Sequence, residues 1–229
     1  MRLIVIEGID GAGKSTQIEL IKEMLGKSGI ESEHLHFPRT KTPYSGELIA
    51  RFLRGEFGSV SDVDPYLVAM LYASDRRDAA PWIREWLEKG KVVILDRYTY
   101  SNIAYQCAKT ESGAPRERLR EWILSLEFDH YKIPVPDLNI FLDVPLRFSE
   151  STLRSDRGND SDRSYLMGQT DIHEADNQFQ RKVRDIYIET SQKDSRLTLL
   201  ECSDEDGNML SKEMTFKKVS DLVRKVLKI

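Results

Sequence analysis

Cysteine is scarce in this chain, with only Cys107 and Cys202 among 229 residues. Two thiols so far apart exclude a disulfide scaffold, a zinc ribbon and a CxxC redox site, and they point to buried thiols in a reducing compartment. Long apolar runs are also missing, since nothing approaches the roughly 18 consecutive apolar residues of a membrane helix. After Arg2 the run Leu3-Ile4-Val5-Ile6 stops at Glu7, short of the stretch of about 7–15 that a secretory leader needs. An excess of one charge is absent too: 34 Lys+Arg stand against 38 Asp+Glu, a formal net charge of −4. That balance argues against a nucleic-acid groove as the main surface. What is present is a composition that is 40% hydrophobic, able to bury a core without staples, and at roughly 150 residues per domain it makes one or two domains. A cytoplasmic enzyme with no membrane or nucleic-acid partner is the expectation.

Four short runs, Leu3–Ile6, Val92–Leu95, Asn139–Leu142 and Leu197–Leu200, are apolar on both faces and read as buried strands. Helical spacing separates them. Ile18, Ile21 and Leu25 recur after the first run, and the segment Tyr66–Lys89 carries Leu67, Met70, Leu71, Ile83, Trp86 and Leu87 before Gly90, a helix stop. Lone strands alternating with helices predict an α/β fold with a mostly parallel sheet and right-handed crossovers. From Ser149 to Asp171 the sequence SESTLRSDRGNDSDRSYLMGQTD is polar and charged, which suggests a lid on a single domain of residues 1–229.

Directly after the first strand, Gly8-Ile9-Asp10-Gly11-Ala12-Gly13-Lys14-Ser15 satisfies GxxxxGK[ST] and opens a helical segment. Glycines let the backbone curl so that successive N–H groups face phosphate oxygens, and the helix start adds positive potential. Gly8, Gly11, Ala12, Gly13, Lys14, Ser15 and Thr16 are therefore the expected ATP contacts, with Lys14 on the β- and γ-phosphates and the Ser15 hydroxyl on Mg²⁺. The expected fold is the three-layer P-loop NTPase arrangement, a central sheet flanked by helices. The motif leaves the phosphate acceptor open.

No guanine-reading NKxD follows. Instead Asp96-Arg97-Tyr98 closes the second apolar run, at the carboxyl end of a strand, where open α/β sheets bind ligands. An aspartate there can hold Mg²⁺ or its water, and an arginine can fork onto a second phosphate group. Taken alone, such a pair is also an ordinary surface ion pair.

Phe37-Pro38-Arg39, Leu71-Tyr72-Ala73-Ser74-Asp75-Arg76-Arg77 and Asp96-Arg97-Tyr98-Thr99-Tyr100-Ser101-Asn102-Ile103-Ala104-Tyr105-Gln106 resemble, in order and approximate spacing, the successive signatures of the thymidylate kinase family. The similarity runs from the glycine-rich loop to about Glu189. It implies ATP-dependent conversion of dTMP to dTDP, a homodimer, and a set of acceptor contacts. By that resemblance Tyr72 stacks on the thymine ring and Arg76 donates to a thymine carbonyl, while Asn102 and Gln106 read the remaining polar edge. Arg39 and Arg97 hold the monophosphate beside Phe37 and Ser101, Asp10 reaches the sugar 3′-hydroxyl, and Tyr105 excludes a 2′-hydroxyl. Core packing is the competing reading for Tyr72 and Tyr105, and one of Arg76 and Arg77 is expected to be a solvated charge.

A dTMP phosphate oxygen is already anionic, so transfer needs positioning and charge neutralisation more than a base. Lys14, Arg97 and arginines of the polar segment, Arg154, Arg157 and Arg163, are the catalytic candidates, with Arg157 foremost because Arg157-Gly158 resembles the family's lid motif. The P-loop itself carries glycine at position 11, where some members place an arginine. Ser15 and Asp96 are the expected metal contacts. Asp171 with Glu174 three residues on has the spacing of a capping box, and His173 reads as structural. The apolar faces between Tyr66 and Leu87 could pack a homodimer or simply cover the sheet. Other nucleotide or nucleoside kinases, and an ATPase switch, share the same cradle.

Overall fold

The computed structural model describes residues 2–156, 161–169, 171–174 and 176–229, with the backbone alone at 155–156 and 161–163. Five parallel strands make one sheet: β1 (Leu3–Glu7), β2 (Ser32–His36), β3 (Val92–Asp96), β4 (Leu138–Asp143) and β5 (Leu197–Glu201), in the order β2-β3-β1-β4-β5. Four of them cover the apolar runs. β2 was not expected, because Ser32-Glu33-His34-Leu35-His36 holds a single apolar residue, Leu35, and is only partly covered. It forms because β3 offers it a free edge, in register from Ser32 opposite Val92 to His36 opposite Asp96.

Pleating sends alternate residues of β1 to opposite sides. Ile4 and Ile6 pack in the larger core with Ile18, Ile21 and Leu25 of α1 (Lys14–Lys27), whereas Leu3 and Val5 face Ala79, Ala80 and Ile83 of α3 (Pro65–Glu88). The result is the expected three-layer fold. Asp64 caps α3 by accepting from the Tyr66 and Leu67 N–H groups, Pro65 occupies the first helical position, and Gly90 follows its end at φ 77°.

The remaining helices are α2 (Ser45–Leu53), α4 (Thr99–Cys107), α5 (Ala114–Leu124), α6 (Leu146–Asp156), α7 (Asn177–Lys193) and α8 (Lys212–Leu227). A π-helical turn, Ser125–His130, extends α5, and a 3₁₀ turn spans Ser161–Leu166. The C-terminal α8, unassigned from sequence, buries Val219 and Val223 in the larger core. The capping-box expectation for Asp171 is corrected. Asp176 caps α7, accepting from the Gln178 and Phe179 N–H groups, while Asp171 accepts from His173 N within a turn. Both cysteines are free and buried, and among the described residues no helix is long and apolar enough to cross a membrane.

Candidate active site

The loop after β1 curls because Gly11 (φ 73°) and Gly13 (φ 75°) adopt left-handed backbone that side chains disfavour. Gly13 precedes α1 with no side-chain cap, and the first turn carries no acid. The N-terminal N–H groups of α1 thus meet an incoming anion without an internal competitor. Lys14, the first residue of α1, is buried and its Nζ donates to the Ile9 carbonyl at 3.1 Å and the Gly8 carbonyl at 3.5 Å. Burial and the neighbouring Arg97 bring its pKa down to about 8, against the attraction of Asp96, Asp10 and Glu7. It is still mostly an ammonium at pH 7.

At the adjacent strand end, Ile6 and Asp96 are register partners. Arg97 follows at φ 67°, an uncommon conformation for arginine. Its Nη1 donates to the Gly8 carbonyl at 2.7 Å and Ser101 Oγ at 3.2 Å, and its Nη2 to Asp10 Oδ1 at 2.5 Å. Asp10 also accepts from the Tyr105 hydroxyl and from Gln180 Nε2, each at 2.8 Å. Burial would raise the Asp10 carboxyl, but Arg97 and Lys14 outweigh it and hold the group well below the usual carboxylate range.

A cavity of about 520 Å³ opens beside these two strand ends. Every residue assigned to the acceptor nucleotide lines it: Asp10, Phe37, Arg39, Tyr72 and Arg76, together with Arg97 from the turn after β3 and Ser101, Asn102, Tyr105 and Gln106 from α4. Ser15 lines it too; Lys14, Asp96, Thr16 and the loop glycines do not. Arg39 is clamped by Asp75, which takes its Nε at 2.9 Å, and by Asp78, which takes its Nη2 at 2.7 Å. Its Nη1 is buried with no hydrogen-bond partner among the described residues. Arg76 gives Nε and Nη2 to buried Glu127, each at 2.6 Å, while Arg77 is the exposed member of the pair and lies 4.9 Å over the Tyr131 ring.

Sequence reasoning missed the carboxylates that hold these groups in place. Glu7, the last residue of β1, is fully buried and accepts from the Tyr98 and Ser101 N–H groups and from Tyr187. Gln180 of α7 and Glu127 had no motif to mark them, and Asp75 sits in the Leu71–Arg77 signature without a role of its own there. His173, set aside as structural, lines the cavity among Phe52, Tyr105 and Phe179. Burial, with Lys109 nearby, lowers its pKa to about 3, so it is neutral. Asp171 and Tyr165 line the cavity as well, and burial together with Asp10 and Glu174 pushes the Asp171 carboxyl up to about 7.

The polar segment meets the P-loop through α6. Ser149 Oγ donates to the Asp10 carbonyl at 2.6 Å, and a Cβ at Gly11 would lie 2.6 Å from the Ser149 carbonyl. An arginine at position 11 has no room there. Arg154 is exposed in the last turn of α6, the side chain of Arg163 is not among those described, and Arg157 lies outside the described residues. For a metal, Asp96 Oδ2 is 3.2 Å from His36 Nδ1, while Oδ1 is buried without a partner among the described residues. Burial raises the Asp96 carboxyl, but Lys14 and His36 more than offset that and hold it well below its ordinary value. An unspent carboxylate oxygen and the open Ser15 hydroxyl are oxygen donors of the kind Mg²⁺ takes, although no group of three or more His, Cys, Asp or Glu side chains among the described residues could hold an ion unaided.

A parallel sheet with a glycine-turn phosphate cradle at β1, an arginine-bearing turn at β3 and a polar cavity beside them defines a P-loop phosphotransferase. The sequence model of the family described as Thymidylate kinase matches residues 6–212. A thymidylate kinase of Mycobacterium tuberculosis is 32% identical over 187 residues, 82% of this chain and 84% of the relative. A probable thymidylate kinase of Pyrobaculum aerophilum is 36% identical over 193 residues, covering 82% of each. The solved thymidylate kinase of Candida albicans superposes with a TM-score of 0.72 at 26% identity over 98% of this chain and 91% of that one. The chain belongs to the thymidylate kinase family.

Proposed function

We infer that this chain transfers the γ-phosphoryl group of ATP to the phosphate of dTMP, giving ADP and dTDP. The observation that carries the reading is the convergence of ten acceptor candidates on one cavity beside the P-loop, with Arg97 joining the two. A phosphate oxygen of dTMP attacks the γ-phosphorus as the bond to the β,γ-bridging oxygen breaks, and no proton has to be removed. Asp10 is therefore read as a fixed acceptor for the sugar hydroxyl and not as a base, in keeping with its lowered pKa.

Lys14 and the free N–H groups of α1 take the donor phosphates. Arg97, and the unpartnered Nη1 of Arg39, supply positive charge on the acceptor side. Tyr72, partly buried against α2 and α3, offers a ring face to the base, and Tyr105, anchored by its hydroxyl to Asp10, occupies the space that a ribose 2′-hydroxyl would need. Ser15 and Asp96 are the residues that would hold Mg²⁺ or its water. That ion, when bound, neutralises charge on the β- and γ-phosphates. The closed contact between Gly11 and Ser149 supports arginines from the lid, residues about 149–171, as the further cationic groups. Residues 1–229 are taken as one domain, working in the cytoplasm as a homodimer.

Coupled turnover with ATP and Mg²⁺ against dTMP, dUMP, dCMP, UMP and thymidine tests the assignment. A clear preference for dTMP is expected. ATP binding without acceptor-dependent turnover would instead leave a nucleotide switch.

A further inference from the structure

Glu127 lies in the π-helical turn Ser125–His130 with no exposed surface. Its carboxylate gathers the base-reading side chains. Oε2 accepts from Arg76 Nε at 2.6 Å and Thr99 Oγ1 at 3.0 Å, and Oε1 accepts from Arg76 Nη2 at 2.6 Å and Asn102 Nδ2 at 3.0 Å. Asn102 Nδ2 donates a second bond to the Ala69 carbonyl at 3.0 Å. A carboxylate and a backbone carbonyl only accept, so both amide hydrogens are spent on them and the orientation of the amide is dictated by chemistry. Asn102 Oδ1 is what remains, buried and with no hydrogen-bond partner among the described residues.

Arg76 and Asn102 both line the cavity. The guanidinium nitrogen that Glu127 does not hold is a donor, and the unspent amide oxygen is an acceptor. A pyrimidine edge with a carbonyl next to a ring N–H matches that pair. An edge with an amino group next to a bare ring nitrogen meets donor with donor and acceptor with acceptor.

We propose that Glu127 is a positioning residue for acceptor choice: by fixing Arg76 and orienting the Asn102 amide, it makes the cavity select a carbonyl/N–H pyrimidine edge over an amino/ring-nitrogen edge. This rests on dTMP being the acceptor. In Glu127→Gln a single carbonyl oxygen replaces two carboxylate oxygens, so some of the gathered donors lose their acceptor, and an amide hydrogen turned toward Asn102 favours the flipped amide. Glu127→Asp keeps the counter-charge to Arg76 but is one methylene shorter.

The measurement is the ratio of kcat/KM for dTMP to that for dCMP, with the KM for ATP as a control on the rest of the fold. Glu127→Gln should cut the ratio at least about tenfold, equivalent to about 1.4 kcal/mol, through a higher KM for dTMP. The KM for ATP should stay within about twofold. A proportional fall for both acceptors, or an unchanged ratio in the folded variant, overturns the proposal. If Glu127→Gln yields no folded protein, the Glu127→Asp ratio decides in the same two directions. A parent enzyme without a preference for dTMP would refute the acceptor assignment itself, and the proposal with it, before any variant is compared.

Discussion

Two buried cations set the terms at the scale of single residues. Arg97 donates to three partners, and its left-handed backbone is sustained by the Gly8, Ser101 and Asp10 contacts. Lys109, just beyond α4, is the opposite case: its Nζ is buried with no hydrogen-bond partner among the described residues and lies 4.8 Å from the centre of the Phe52 ring. Burial lowers its pKa to about 7. A base depressed on folding costs stability as pH falls, because the unfolded chain takes up the proton near its ordinary value while the folded chain resists it until about 7. Lys109→Met should therefore stabilise the protein by about 1–3 kcal/mol below neutral pH. The gain should shrink steadily towards the ordinary lysine pKa of roughly 10.4. Denaturant melts of both proteins at several pH values measure this, and a gain that does not depend on pH would contradict it.

Among the elements, the contact of α6 with the P-loop is a tight joint of the site. Gly11 needs its positive φ, and even a single Cβ there would press on the Ser149 carbonyl. Gly11→Ala should destabilise the fold by about 1–3 kcal/mol and raise the KM for ATP more than that for dTMP. An alanine variant with parental stability and ATP affinity would mean that α6 does not rest on the loop in solution. The elements that carry the catalytic loops were legible in the sequence, because β1, β3, β4 and β5 are apolar on both faces and the glycine pattern marks the turn after β1. β2 was not, since its two histidines and single leucine carry no strand signal and its pairing comes from the open edge of β3. The cap of α7 was misplaced for a related reason: Asp171 and Asp176 offer the same side-chain chemistry, and only the chain path distinguishes a turn from a helix start.

For the whole molecule, the proposed ligand contacts that line the cavity were readable and most of the residues that brace them were not. Tyr72, Asn102 and Gln106 sit in motifs, whereas Glu7, Glu127 and Gln180 owe their roles to contacts made far along the chain, as does Asp75 although it shares a motif with Tyr72. Sequence spacing carries no trace of such partners. The proposed homodimer would draw on a similar division within α3. Val68, Ala69, Ala73, Ala79, Ala80 and Ile83 are buried within the subunit, leaving Leu67 58%, Met70 43% and Trp82 48% exposed. If that face joins two copies, the parent should sediment at twice the 26.4 kDa chain, and Leu67→Glu with Met70→Glu should give the single mass. A double variant that remains dimeric would move the interface elsewhere.

Ile6 and Asp96 are register partners on hydrogen-bonded strands, so the turns after β1 and β3, the proposed donor and acceptor phosphate sites, start from neighbouring rungs about 4.8 Å apart. In the proposed reaction the sheet is thus a ruler, and the gap between donor and acceptor would be set by the backbone ladder and not by the nucleotide being recognised. On the proposed acceptor assignment, exchanging residues on α3 and α4 would change which base is taken while that gap stays the same. Acceptor preference and transfer rate are, in this architecture, separately adjustable quantities.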